Sequence, residues 1–171
     1  MPNPLITVVQ NSAPLLAPEL ALDARGVARR FGARWVLRGI NLQVRAGEIV
    51  GLLGHNGCGK STLLRIVATL LKSSAGEAYV YGANVRTQGD DVRTHVGFFA
   101  HVPGLYDDLS ARENLAFAAT MLGLPSADID AAIERVGLTH VTNERVRGFS
   151  AGMQRRLSLA RLILQRPRLL L

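Results

Sequence analysis

The sequence predicts an α/β fold whose core is interrupted by a helical segment at roughly residues 102–150. Two short apolar runs, at residues 49–53 and 169–171, have the composition of strands buried on both faces of a parallel sheet. A glycine-rich segment joins the first run directly to a helix, and further helical patterns lie between the two runs. Strands at both ends with helices between them predict the α/β class.

The N-terminal part of the chain predicts a leader followed by extended strands. Residues 1–18 contain four prolines and no stable periodicity, which predicts a flexible leader. Residues 20–31 and 35–44 have extended patterns. The second ends in apolar residues that alternate with polar ones, Ile40, Leu42 and Val44 against Asn41, Gln43 and Arg45. This alternation predicts a half-buried strand, and a turn at Ala46 and Gly47 then precedes residues 49–53.

Beyond the glycine-rich segment, the pattern predicts helices and short strands. Apolar residues first recur at helical spacing, at Leu63, Leu64, Val67, Ala68 and Leu71. Residues 79–85 and 96–100 are predicted as strands. Ser110 is followed three residues later by Glu113, the capping-box pattern, which predicts a helix that runs to about Leu122.

Two further helices are predicted in the C-terminal third. Pro125 and Ser126 begin one that ends near Gly137. Ser150 is the N-cap candidate of the other, and Pro167 ends it.

The composition excludes several classes of protein and limits the partners. The chain has 20 basic and 13 acidic residues, for a net charge of +7, but its arginines are scattered and form no dense tract. We therefore expect no nucleic-acid partner. Cys58 is the only cysteine, which excludes an internal disulfide and fits a reducing cytosol. The N-terminus lacks the basic residues of a secretory signal, and no apolar stretch reaches the roughly 18 residues of a membrane span, so any membrane role comes through a partner.

Residues 54–62 fit the G-x-x-x-x-G-K-[ST] pattern of a phosphate-binding loop. Glycines let the backbone curl so that N–H groups point at phosphate oxygens, and the helix that begins near Gly59 adds the positive end of its dipole. Lys60 supplies a point charge to the β and γ phosphates, and the Ser61 hydroxyl binds Mg²⁺. The pattern thus predicts ATP and Mg²⁺ as cofactors, and the alternative is a glycine turn that only joins a strand to a helix. The predicted binding residues are Gly54, Asn56, Gly57, Cys58, Gly59, Lys60, Ser61 and Thr62, with Cys58 interpreted as a small residue in a tight loop.

A second motif follows Arg147, where residues 148–161 read GFSAGMQRRLSLAR. Ser150 caps a helix whose N–H groups, beside the small Ala151 and Gly152, leave room for a phosphate, and the alternative is an ordinary capped amphipathic helix. The segment resembles the signature motif, usually written LSGGQ, of ATP-binding cassette (ABC) proteins. Together with the phosphate loop, it makes residues 20–171 similar to an ABC ATPase domain.

The resemblance implies a P-loop NTPase fold of the ABC ATPase type over residues 19–171. Such a fold has an N-terminal antiparallel β subdomain and a helical subdomain, here at about residues 102–150. The family also implies that Phe31 stacks on adenine, unless it is a buried strand aromatic. In the head-to-tail dimer of the family, a second ATPase subunit would contact the bound ATP through its signature residues, Ser150, Ala151, Gly152 and Met153.

Residues 96–115 resemble the Q-loop of the family and the start of its helical subdomain, which receives the coupling helix of a transmembrane permease. The family has glutamine where this chain has His101. Imidazole can accept a hydrogen bond or bind a metal, so His101 is the candidate equivalent, and the alternative is a plain loop histidine.

The stretches YDDLSARENL and FSAGMQRR resemble ABC exporters, either of the drug or antibiotic-resistance type or of the haem-exporter type. The resemblance implies an ATPase subunit on the inner, cytoplasmic face of the cell membrane that couples ATP hydrolysis to export through permease subunits. A non-transport ABC protein and a nucleotide-binding module without hydrolysis are the alternatives. The Walker B acids and switch histidine of the family would follow Leu171, so we expect a truncated chain that is inactive alone.

Overall fold

The computed structural model describes residues 6–11, 19–100 and 104–171. The chain divides into two compact units, of which residues 1–96 with Leu171 form the first and residues 97–170 form the second. In chain order the first unit contains β1 (Thr7–Asn11), β2 (Leu20–Phe31), β3 (Arg34–Arg45), β4 (Ile49–Leu53), α1 (Lys60–Val67), β5 (Ala75–Val80), β6 (Ala83–Asn84) and α2 (Gly89–His95).

A four-stranded antiparallel sheet in the order β3-β2-β5-β6 forms most of the first unit. Strands β2 and β3 make a long hairpin with several irregularities in its register. Along β3, Ile40, Leu42 and Val44 are buried and the polar residues between them are exposed, which confirms the prediction of a half-buried strand.

Strand β4 pairs with β1 in an antiparallel two-stranded ribbon. Exposure alternates along β4, with Ile49 79% exposed and Leu53 55% exposed, so the prediction of a strand buried on both faces of a parallel sheet is wrong here. An apolar run is compatible with a buried strand, but the strand with which it pairs depends on other segments of the chain. Among the described residues, the pairing partner of β4 is β1. Strand β1 also lies where a flexible leader was expected. Apart from Ile6, the rest of that predicted leader is outside the described residues.

The predicted strand at residues 79–85 is two shorter strands, β5 and β6, joined by a turn at Tyr81 and Gly82. Both turn residues have positive φ, 46° and 81°, which reverses the chain and pairs the strands antiparallel. The helix predicted after the glycine-rich segment is confirmed as α1.

The second unit is largely helical. It contains α3 (Ala111–Leu122), α4 (Ile129–Arg135), α5 (Ala151–Gln165) and short 3₁₀ turns at Ser126–Asp128, Thr139–Val141 and Val146–Gly148. The capping box at the start of α3 is present: the Glu113 N–H donates to Ser110 Oγ, and the Ser110 N–H donates to the Glu113 carboxylate. The Ser150 side chain caps α5, which ends two residues before Pro167, as predicted.

One apolar core joins the three helices of the second unit. Leu115 on α3, Ile133 on α4 and Leu157 on α5 are at most 1% exposed, and Leu138 and Val146 from the connections are fully buried beside them. Each such side chain contributes about 1.5–3 kcal/mol by leaving water, so this core accounts for the way the helices pack.

Two short strands, β7 (Val96–Gly97) and β8 (Leu169–Leu170), pair with each other. The strand predicted at residues 96–100 is therefore shorter than expected, and Leu170 is 62% exposed where a buried run was expected. No helix in the described part of the chain has the length and apolar character needed to cross a membrane.

Candidate functional site

The residues predicted to bind phosphate lie between the end of β4 and the start of α1. Gly54, Gly57 and Gly59 have φ values of 150°, 81° and 106°, which residues with a Cβ rarely adopt. The loop is exposed from Gly54 to Gly57, whereas Cys58 is 2% exposed and Gly59 is buried. The glycines thus allow a tight curl whose inner part is buried and whose outer part is open to a ligand.

The Lys60 side chain turns back over this loop. Its Nζ donates to the carbonyl oxygens of Gly54 at 2.8 Å and His55 at 3.0 Å, and it lies 3.7 Å from Cys58 Sγ. An ammonium has three donor hydrogens on a flexible stem, so it can pass from these carbonyls to phosphate oxygens. The positive charge is therefore held at the centre of the loop before any ligand arrives.

The start of α1 is electrostatically open to an anion. Gly59 is its N-cap and provides no side-chain hydrogen bond, and the first turn contains no acidic residue. The first-turn N–H groups of a helix lack partners within the helix, and together they carry a partial positive charge.

Among the described helices of at least eight residues, α5 also begins without an acidic residue in its first turn, whereas α3 begins with Glu113. The two helices that start at the predicted phosphate sites are therefore those that lack an acid there. This pattern favours anion binding at α1 and at α5.

The tip of the β2–β3 hairpin packs on the phosphate loop at Gly59. A Cβ placed on Gly59 would lie 2.6 Å from Leu37 Cδ2, 3.1 Å from the Val36 carbonyl oxygen and 3.3 Å from Val36 Cγ1. Leu37 is fully buried. The hairpin and the loop are therefore fixed against each other by a contact that only glycine permits.

Phe31, the predicted adenine-stacking residue, lies at the tip of this hairpin and is 47% exposed. The alternative of a buried strand aromatic is therefore wrong. The Arg29 guanidinium lies over the ring, with Cζ 4.6 Å from the centroid, and Arg29 Nη1 donates to the Lys72 carbonyl at 2.9 Å. Within the described part of the chain, Arg29 Nε is the buried side-chain nitrogen left without a hydrogen-bond partner, a loss of about 1–3 kcal/mol.

The signature residues lie at the start of α5 in the second unit. Ser150 Oγ accepts a hydrogen bond from the Met153 N–H at 3.3 Å. Ser150, Ala151 and Gly152 are exposed, while Met153 is half-buried and packs against the helical core. A Cβ added to Gly152 would meet only Ser150 Oγ, at 3.9 Å, so the surface over these small residues is open within this unit.

The remaining predicted residues divide between described and undescribed parts of the chain. Ser61 is exposed and Thr62 is half-buried on the first turn of α1, and Asn56 is exposed in the loop. His101 lies outside the described residues. The loop belongs to the first unit and the signature residues to the second.

Sequence reasoning missed Val36, Leu37 and Arg29. Each acts through a contact between distant parts of the chain. Two signals in the sequence could have found them. The loop pattern requires a glycine at position 59, which indicates a close neighbour there. Arg29 lies two residues before Phe31 on an extended strand, which places the two side chains on the same face.

A strand, a curled glycine loop with a lysine folded over it and an uncapped helix start define a P-loop nucleotide-binding protein of the α/β class. The chain belongs to the ABC transporter family, whose profile, described as "ABC transporter", matches residues 37–171.

Curated relatives include ATP-binding proteins named for different transport tasks. The chain is 36% identical over 146 residues to the bacitracin transport ATP-binding protein BcrA of Bacillus licheniformis, which covers 85% of this chain and 48% of BcrA. It is 39% identical over 148 residues to the cytochrome c biogenesis ATP-binding export protein CcmA 2 of Cupriavidus metallidurans, covering 85% and 70%. The Fe(3+) ions import ATP-binding protein FbpC of Escherichia coli is 36% identical over 154 residues, covering 88% and 44%.

Exporters and importers are thus similar to this chain to nearly the same degree, and identity alone leaves the direction of transport open. The chain spans about half the length of several curated relatives that it matches.

A solved structure titled "Structure of ATP binding subunit of ABC transporter" has the same fold, with a TM-score of 0.76 and 22% identity over 86% of this chain and 63% of that one. The prediction of a P-loop NTPase fold of the ABC ATPase type is confirmed.

Proposed function

We propose that this chain is the ATP-binding part of an ABC transporter subunit and that residues 54–62 hold the triphosphate of MgATP. The observation that carries the proposal is the Lys60 ammonium, held by two loop carbonyls at the start of a helix without an acidic first turn. A triphosphate supplies oxygens to the open N–H groups, and the ammonium can pass from the two carbonyls to the phosphate.

The residues around the loop also suit Mg²⁺. The exposed Ser61 hydroxyl follows Lys60 directly and can provide one oxygen ligand. Mg²⁺ prefers a few protein oxygens together with phosphates and water, and the phosphates of ATP complete such a set.

The direct test compares the two lysines of the chain. Removing the ammonium at Lys60→Ala should weaken MgATP binding about 10- to 100-fold, because charge-assisted hydrogen bonds to phosphate are lost. Lys72→Ala is the matched control, since it removes the same charge from an exposed position outside the loop. Isothermal titration calorimetry measures the affinity of each variant for MgATP, and equal affinities for the two variants would contradict the proposal.

We propose further that two copies bind ATP in a head-to-tail dimer. The second phosphate contact would come from Ser150, Ala151 and Gly152 of the other copy, whose helix start is exposed and free of acidic residues. Light scattering with and without MgATP tests this. ATP-dependent dimers that a Gly152→Glu change abolishes support the model, and dimers formed equally without nucleotide argue against it.

The second unit offers a surface for a permease. Tyr106 and Phe117 pack edge to face, with centroids 4.9 Å apart, and are 53% and 44% exposed. Met121, one turn beyond Phe117 on α3, is 71% exposed. Aromatic and methionine side chains are enriched in protein interfaces, so we propose that this surface binds the cytoplasmic helix of a transmembrane subunit at the inner face of the membrane.

We propose export as the direction of transport, because the stretches YDDLSARENL and FSAGMQRR resemble those of ABC exporters. Disruption of the gene provides a test with two readouts. Sensitivity to bacitracin supports the drug type, loss of haem-stained cytochrome c supports the haem type, and loss of uptake of a nutrient would contradict export.

The 171-residue chain by itself is proposed to bind ATP without hydrolysing it. None of its acidic residues matches the Walker B pair that the family uses to position Mg²⁺ and water. Phosphate release above the level of Lys60→Ala would contradict this part of the proposal.

A further inference from the structure

We propose that Arg29 is a positioning residue for the nucleobase: its guanidinium supports Phe31 from one side so that the rest of the ring can stack on a purine. The proposal rests on the proposed binding of ATP at residues 54–62. It assigns a role to a residue that lies outside both nucleotide motifs.

The geometry of the stack leaves the ring accessible. Arg29 Cζ lies over Phe31 at 4.6 Å from the ring centroid, yet Phe31 remains 47% exposed. The ring is therefore covered on one side by a cation and open to solvent elsewhere. A flat, apolar base can occupy the open part without moving Arg29.

A hydrogen bond and the ring contact hold the Arg29 side chain in place. Its Nη1 donates to the Lys72 carbonyl at 2.9 Å, while its Nε is buried without an acceptor. The guanidinium keeps this position although one N–H is unpaired, because it is held by the contact with the Phe31 ring and by the hydrogen bond to the Lys72 carbonyl. Side-chain freedom is thus lost before a ligand binds, which reduces the entropic cost of stacking.

The stack is also tied to the phosphate loop. Leu37 lies directly opposite Arg29 in the β2–β3 register, and Leu37 Cδ2 is the atom nearest to the space over Gly59. The aromatic platform therefore sits on the hairpin at the point where that hairpin contacts the loop. A base and a triphosphate belong to one molecule, so an exposed ring fixed to a phosphate loop suits the base.

A cation on one face of an aromatic ring draws π-electron density toward itself. The opposite face then stacks more strongly on an electron-rich purine than on a smaller, electron-poor pyrimidine. Arg29 should consequently raise the preference for ATP over CTP, whereas a charge that acts only at long range would favour all triphosphates equally.

The chain contains a matched control beside Arg29. Arg30 lies over Trp35, with Cζ 5.6 Å from the ring centroid, so its ring contact is with a different aromatic residue. Arg30→Gln removes the same charge from nearly the same place but leaves the Arg29–Phe31 stack unchanged.

The experiment measures the affinities of the purified protein for MgATP, MgCTP and magnesium tripolyphosphate by calorimetry. Arg29→Gln should weaken ATP binding about two- to fivefold, because the ring is no longer held in place before the base binds, and it should leave tripolyphosphate binding unchanged. Arg30→Gln should change none of the three. Phe31→Ala should abolish the preference for ATP over CTP, and adding Arg29→Gln to it should have no further effect.

Three results would overturn the inference. Arg29→Gln could weaken ATP and tripolyphosphate equally, which would indicate long-range charge alone. Arg29→Gln and Arg30→Gln could behave alike. Phe31→Ala could leave ATP affinity unchanged, which would show that the base does not stack there. Should Arg29→Gln fail to fold by circular dichroism, Arg29→Met, which keeps an unbranched side chain but removes the charge, should show the same selective loss of ATP affinity, and wild-type affinities would refute the role.

The proposed function and this inference fail in different ways. If Lys60→Ala binds ATP as well as the wild type, the phosphate site itself is wrong. If Lys60→Ala loses ATP and Arg29→Gln keeps it, the nucleotide site stands and the role of Arg29 is refuted.

Discussion

Replacement of Gly59 by alanine should destabilise the first unit far more than replacement of Gly57. Both glycines have positive φ, 106° and 81°, so a Cβ at either position strains the backbone by about 1–3 kcal/mol. At Gly57 the added Cβ meets nothing within 4 Å. At Gly59 it would lie 2.6 Å from Leu37 Cδ2 and 3.1 Å from the Val36 carbonyl oxygen.

Because Leu37 is fully buried, the clash at Gly59 must be relieved by moving the core, as in an overpacked core, at a further cost of about 1–3 kcal/mol. Gly59→Ala should therefore cost about 2–6 kcal/mol in total, a large share of a typical domain stability of about 5–15 kcal/mol. Gly57→Ala should cost only the backbone strain.

Urea denaturation of the two variants measures the difference. Adding Leu37→Ala should recover part of the clash at Gly59, with a coupling of about 0.5–3 kcal/mol in a double-mutant cycle. Unfolding free energies for Gly59→Ala and Gly57→Ala that agree within about 0.5 kcal/mol would refute the reasoning, because the steric contact would then have no energetic weight.

Three further predictions concern side chains at the loop and the helix starts. Cys58 Sγ is buried, so its alkylation should be slow, and MgATP should slow the reaction further. Fully alkylated protein should lose ATP binding, and undiminished ATP binding by that protein would contradict the prediction. The hydrogen bond from the Ser110 N–H holds the pKa of Glu113 below its ordinary value of 4.5. The ionised Glu113 carboxylate therefore contributes its full stabilisation above pH 4.5, and this stabilisation is lost as the pH falls through the lower folded-state pKa. Between pH 3 and 7, the melting temperature of Glu113→Gln should accordingly vary less with pH than that of the wild-type protein. Ser150→Ala should cost about 1 kcal/mol by removing the cap of α5, and a change in unfolding free energy near zero would show that the cap is unimportant.

Local patterns predicted the elements whose cause is local. The alternation in β3, the capping box of α3 and the Ser150 cap of α5 each depend on residues within a few positions of one another. The phosphate loop was predicted for the same reason, because glycine spacing and the lysine are contiguous.

Pairing between distant segments could not be predicted in this way. The apolar composition of β4 is compatible with several partners, and the sequence contains no local feature that selects β1. The stack of Arg29 on Phe31 and the contact of Leu37 with Gly59 depend on the register of the long β2–β3 hairpin, which contains bulges that shift the pairing.

The β1–β4 ribbon has a consequence for the motions of the phosphate loop. A two-stranded ribbon is only marginally stable in water, and β4 leads directly into Gly54. Amide protons of β4 should therefore exchange with solvent faster than those in the centre of β2, which is hydrogen-bonded on both sides. Because a bound triphosphate would fix the loop at one end of β4, slower exchange along this strand would reveal when the site is filled.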